Sequence, residues 1–222
     1  MDYTRQLDIF NPYLNRDKVV VIGAGGIGSP TVLALAKMGI SDIEVFDFDK
    51  IDDVNLPSQF YRINDVGKFK VDALKEICKD FADVDITVHR ERFDISLINQ
   101  PCYIISAVDN MAARKEIWDM IKYSPFCKKY IDCRMGAERL KIHIVNPVDM
   151  ELVKLYESTL IDDSEAVQLP CTAKAIIYNV MMTASQVAHL IRCMLLDHKI
   201  PYKYKVYYDF VSGIFLQDST LI

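Results

Sequence analysis

Apolar positions in this chain follow two alternating rhythms. Short, nearly continuous β-branched runs at 18–23, 42–46, 103–107 and 130–133, with an alternating run at 85–91, predict strands. Between them, 27–38, 68–81 and 111–122 repeat apolar residues at helical spacing, and Gly39 supplies a stop after the first helix. Such alternation predicts an α/β fold: a Rossmann-like, mostly parallel sheet with helices on both faces, with ligands at the carboxyl ends of its strands. The pattern changes after Cys133. A further strand is expected at 140–145, an irregular acidic crossover at 149–170, a long apolar helix at about 172–196, and a closing hairpin with strands at 204–210 and 214–217. These would extend the sheet with antiparallel strands, so the whole of 1–222 reads as one domain: a nucleotide-binding core at 18–133 and an extension at 134–222.

Composition narrows the class. Half of the 222 residues are apolar (51%) and 26% are charged, which suits a globular protein, and the net charge of -5 leaves no footprint for nucleic acid or an anionic membrane. The start, Met1-Asp2-Tyr3-Thr4-Arg5-Gln6, has no secretion-signal character, and Asn179, Ser185, Gln186, His189 and Arg192 interrupt the long apolar helix. A cytoplasmic location is the expectation. The six cysteines form no Cys-x-x-Cys pair, so neither a zinc site nor a disulfide framework is expected.

Candidate chemistry begins where the first strand runs into glycine. Gly23, Gly25, Gly26 and Gly28 form a loop ahead of a helix, the arrangement that brings backbone N–H groups to nucleotide phosphates. Asp47 ends the second strand 24 residues after Gly23, where a carboxylate can accept ribose hydroxyls. NAD enzymes share both features. Asp49, Asn55-Leu56-x-x-Gln59, Gly67-x-x-Lys70 and Asp109-Asn110-x-x-x-Arg114 argue instead for ATP and carboxylate activation.

In that order these motifs, with Arg5-Gln6 ahead of the first strand, resemble the ThiF/MoeB family of adenylating enzymes, the superfamily of the ubiquitin-activating enzymes; the likeness runs over most of Arg5 to Leu196. The resemblance implies an ATP- and Mg²⁺-dependent adenylyltransferase. Its substrate would be the C-terminal carboxylate of a small ubiquitin-like or sulfur-carrier protein ending in glycine, or of a peptide. It also implies a homodimer in which Arg5 reaches the partner's site. Lys70 and Arg5 would stabilise charge on the α-phosphoryl group, Asp109 would bind Mg²⁺ through the ATP phosphates, and Asn55 and Gln59 would hydrogen-bond nucleotide oxygens. Ser58 departs from the family, which usually has arginine directly before the glutamine, and Arg62 is the nearest substitute. Arg114 reads as structural.

Cys171 follows Pro170 and opens the last helix, where the N–H dipoles favour a thiolate. It resembles the cysteine that several members place before this helix to receive the activated carboxylate. The apolar stripe Ile176, Val180, Thr183, Val187, Ile191 and Met194 serves a dimer and a core equally well. Two other readings share the glycine loop: an NAD-dependent oxidoreductase, and a nucleotide-binding scaffold weakened at Ser58.

Overall fold

The computed structural model describes residues 1–162, 175–197 and 204–217. Eight strands form one sheet in the order β3-β2-β1-β4-β5-β6-β7-β8. Its parallel part joins β1 (Lys18–Ile22), β2 (Ile43–Phe46), β3 (Thr87–His89), β4 (Cys102–Ser106) and β5 (Cys127–Gly136). The antiparallel part adds β6 (Arg139–Val145), β7 (Lys205–Asp209) and β8 (Ile214–Gln217). The expected mixed sheet is therefore present.

Burial on both faces explains why the strands carry continuous apolar runs. Along β1, Val19 and Val21 face one core while Val20 and Ile22 face the other. The first core takes α1 (Gly28–Lys37), α2 (Lys70–Ala82) and α5 (Ile177–Leu195) through residues such as Leu35, Leu74 and Leu190. The second takes α3 (Met111–Ile121) and α4 (Met150–Glu157) through Trp118, Val153 and Tyr156. Among the described residues no helix is long and apolar enough to cross a membrane.

Three expectations need correction. The segment 149–170 is not irregular throughout: Asp149 accepts the Glu151 and Leu152 N–H groups and starts α4, whose Val153 and Tyr156 are buried. The strand expected at 130–133 runs from Cys127 to Gly136, because β6 folds back antiparallel along it from Arg139. The long helix starts at Ile177 and not at about 172, since Ala175 and the extended cap Ile176 stand outside it, so Cys171, six positions earlier in the chain, does not open it. Cys171 and Pro170 lie outside the described residues.

Candidate functional site

The carboxyl ends of β1, β2 and β4 meet at the glycine loop, and the packing there assigns each glycine a different task. Gly23 has φ +95°, and a Cβ on it would lie 2.8 Å from the Ala107 carbonyl oxygen. A Cβ on Gly28 would lie 1.8 Å from the Gly23 carbonyl oxygen, so α1 can start there only with glycine. Gly25 is not packed: the nearest atom to a Cβ would be Gln59 Nε2 at 3.9 Å. The space above Gly25 is open, and no side chain caps the amino end of α1 beside it.

A strap from Asn55 to Tyr61 covers this mouth. Ser29 Oγ donates to the Gly25 carbonyl (2.8 Å) and accepts the Phe60 N–H (3.0 Å), and Tyr61 Oη donates to the Ala24 carbonyl (2.5 Å). Gln59 Oε1 is buried there with no hydrogen-bond partner. An orphaned acceptor beside an open glycine is the local signature of a site that takes a polar ligand. The Asn55 side chain is engaged differently, accepting the Asp52 N–H (3.0 Å) in a tight turn. Tyr61 was not singled out from the sequence, where an isolated hydroxyl carries no spacing signal.

Asp47 lies against the loop. Its Oδ2 accepts the Ala24 N–H (2.7 Å) and its Oδ1 the Asp49 N–H (2.8 Å). Burial pushes the Asp47 carboxyl above its ordinary range, opposed by the Ala24 N–H and the Lys70 charge. Lys70 opens α2, is only 7% exposed, and places Nζ 2.7 Å from Asp49 Oδ2. The structure thus brings together Gly23, Gly25, Gly26, Gly28, Asp47, Asp49, Gln59 and Lys70. Arg62 is held elsewhere, bound to Asp65 (2.8 Å), Glu76 (2.9 Å) and Asp80 (2.9 Å).

Asp109 stands exposed after β4 and accepts the Asn110 side-chain amide (3.1 Å), while Asn110 caps α3 through the Ala113 N–H. Its loop is anchored from below by buried Arg114, which donates to the Val108 (2.5 Å), Asn110 (3.2 Å) and Cys133 (3.0 Å) carbonyls. Arg114 also pairs with Asp132 Oδ1 at 2.8 Å, and the other carboxylate oxygen takes Arg134 at 2.7 Å. Burial alone would raise the Asp132 carboxyl, but Arg114, with His143 and Arg134, overcomes it and holds the group far below the usual carboxylate range. Arg134 donates in turn to the Thr159 carbonyl (3.1 Å) and Oγ1 (2.9 Å). One carboxylate therefore ties the Asp109 loop to the far end of α4. Among the described residues no acidic, His or Cys side chains gather as a preformed metal cluster.

Arg5 stays apart from these groups. The neighbouring Gln6 donates to the Met38 carbonyl (2.8 Å) at the carboxyl end of α1, the end away from the glycine loop. Of the cysteines, Cys78, Cys102, Cys127, Cys133 and Cys193 are buried. Burial pushes the Cys78 and Cys102 thiols up to about 12, and Cys127 and Cys133 higher still, which makes all four poor nucleophiles.

Known proteins resemble this chain in sequence and in fold. The catalytic subunit of the NEDD8-activating enzyme E1 from Arabidopsis thaliana is 38% identical over 105 residues, 45% of this chain and 23% of that protein. The probable adenylyltransferase/sulfurtransferase MoeZ of Mycobacterium tuberculosis is 35% identical over 107 residues, 46% of this chain and 27% of that one. The chain thus spans about a quarter of the length of these curated relatives. Among solved structures, PaaA superposes with a TM-score of 0.76 at 19% identity, covering 97% of this chain and 72% of that one. Escherichia coli MccB gives 0.72 at 17% identity, covering 92% and 62%. The model of the ThiF family matches residues 10–214, and the chain belongs to that family.

Proposed function

We propose that this protein is an ATP-dependent adenylyltransferase acting on the C-terminal carboxylate of a small ubiquitin-like or sulfur-carrier protein, or of a peptide. The observation that carries this reading is the open space above Gly25 beside the orphaned Gln59 Oε1, with Asp47 bonded to the same loop at Ala24 and Lys70 paired with Asp49. Those groups fit a nucleoside triphosphate. The glycine loop and the amino end of α1 offer N–H groups to phosphates, Asp47 offers a carboxylate to the ribose, and Gln59 has acceptor capacity to spare. The substrate carboxylate oxygen would bond to the α-phosphorus as the bond to the β-phosphate oxygen breaks and pyrophosphate departs. Lys70 supplies a buried positive charge for that phosphoryl group. Bound Mg²⁺ would neutralise phosphate charge, and Asp109, an exposed carboxylate, would hold it. Cys171 would then take the acyl group as a thioester, releasing AMP.

The functional assembly in this reading is a homodimer in which Arg5 serves the other copy's site, and the location is the cytoplasm. Ser58, with Arg62 engaged by three acids, favours a second reading as a nucleotide-binding scaffold. An NAD-dependent oxidoreductase would leave Asp109 and the Lys70–Asp49 pair without a task.

The test is calorimetry with Mg-ATP followed by partner-dependent pyrophosphate exchange. The wild-type protein should bind ATP in a magnesium-dependent way that Asp109→Ala abolishes. Lys70→Ala should slow exchange on the order of a hundred- to a thousandfold. Tight Mg-ATP binding with no exchange in the presence of a cognate partner would favour the scaffold. NAD binding indifferent to Asp109 would sink both.

A further inference from the structure

Beyond the nucleotide site, β6 and β7 carry two lysines on the sheet face that Asp132 and Arg134 also use. The register sets Lys141 opposite Arg134, and His143 opposite both Asp132 and Lys205, so these side chains share one face. Leu140 and Ile142 fill the core on the other face. Asp132 is engaged by Arg114 and Arg134, and Asp209 on the same face is engaged by Arg139 at 2.9 Å. Lys141 and Lys205 are half-buried, and among the described residues neither meets an acidic side chain or a hydrogen-bond acceptor. Burial, reinforced by the neighbouring Arg134 and Lys205 charges, holds the Lys141 ammonium below its ordinary range. A cation half removed from water beside other cations gains from an incoming anion.

Placement says which anion. Asp132 is level with Ser106 at the end of β4, and Ser106 with Ile22 at the end of β1. Arg134 and its opposite, Lys141, lie two residues further along, at the height of the glycine loop. From β1 the sheet steps through β4 and β5 to β6, three strand spacings or roughly 14 Å. An extended chain covers that distance in about four residues.

We propose that Lys141 and Lys205 form a subsite for an acidic side chain on the carboxylate-bearing partner, about four residues before its C-terminus. The proposal rests on the adenylation reading and adds a substrate class to it: tails with Asp or Glu at that position, in preference to basic tails.

Two fluorescein-labelled decapeptides ending in Gly-Gly, identical except for Glu or Lys at the fourth position from the end, provide the test. Anisotropy is read with the full-length protein and no nucleotide. The wild-type protein should bind the Glu peptide about tenfold more tightly, and Lys141→Glu or Lys205→Glu should erase or invert that preference. Both variants should keep wild-type Mg-ATP affinity by calorimetry, which also shows that they fold. Equal affinity for the two peptides, no binding of either, or a preference unchanged in the variants would overturn the subsite. Displacement of the Glu peptide by pyrophosphate at concentrations where sulfate has no effect would do so too, by assigning the lysines to the leaving group. Failure of the wild-type protein to bind Mg-ATP is a separate result that overturns the adenylation reading alone.

Discussion

At the scale of single residues, Gly25 and Gly28, two glycines of one motif with different roles, make the sharpest comparison. Gly28 is required by packing, since a Cβ would sit 1.8 Å from the Gly23 carbonyl oxygen, whereas Gly25 faces open space. Gly28→Ala should therefore cost on the order of 3 kcal/mol or prevent folding, read as a shift in the urea midpoint. Gly25→Ala should change stability by less than about 1 kcal/mol yet weaken Mg-ATP binding by about tenfold or more, because the methyl group takes the phosphate's space. Equal stability losses in the two variants, or undiminished ATP binding by Gly25→Ala, would contradict this division. The sequence presents both residues as members of one repeating motif. Only the backbone path, with Gly23 at φ +95° under Ala107, separates the glycine that closes the turn from the one that leaves room. Lys70 and Asp109 were legible as charged residues at family spacing, but the pairing of Lys70 with Asp49 was not, since its partners lie 21 positions apart.

At the scale of elements, the buried runs of β1, β2 and β4 and the amphipathic α1, α2 and α3 were legible because each obeys one period from end to end. The helix α4 was not. It has eight residues, its Glu151 and Glu157 match the acidity of its surroundings, and only the Asp149 cap with Val153 and Tyr156 four and seven positions later marks it. The Arg114–Asp132–Arg134 relay was equally hidden, because its partners come from α3 and β5 and meet only once the sheet has formed. It joins three elements: α3 with the Asp109 loop, β5, and the end of α4 at Thr159. Removing the shared carboxylate charge leaves two guanidinium groups with reduced compensation. Asp132→Asn should therefore lower unfolding stability by about 3–5 kcal/mol, the scale of a broken buried pair. A loss below about 1 kcal/mol by urea titration would mean that the relay holds nothing together.

For the molecule as a whole, two further properties follow from where groups sit. Burial pushes His143 from an ordinary value of 6.5 down to about 4. As pH falls below 6.5 the unfolded chain takes a proton that the folded chain refuses until about pH 4, so stability declines across that window, by roughly 3 kcal/mol in all. Asp132 acts separately, below its ordinary value of 3.8, because its folded carboxyl is held lower than that. Urea titrations at pH 7, 5.5 and 4.5 should show the decline, and His143→Phe should flatten it whatever its stability at pH 7; a slope unchanged in that variant would assign the acid sensitivity elsewhere. The second property concerns assembly. Gln6 fastens the segment bearing Arg5 to the Met38 end of α1, and the helix's ten residues, about 15 Å, separate that end from the glycine loop. An arginine anchored there is better placed to serve a second copy's site than its own. If it does so, Arg5→Ala and Lys70→Ala proteins, each inactive alone, should complement when mixed. In a two-fold dimer, half of the random pairings are mixed and each carries one site with both residues intact, so exchange should recover to roughly a quarter of the wild-type rate. Recovery depends on subunit exchange, which light scattering of differently tagged chains can follow. Mixed dimers that form without regaining pyrophosphate exchange would remove Arg5 from the chemistry.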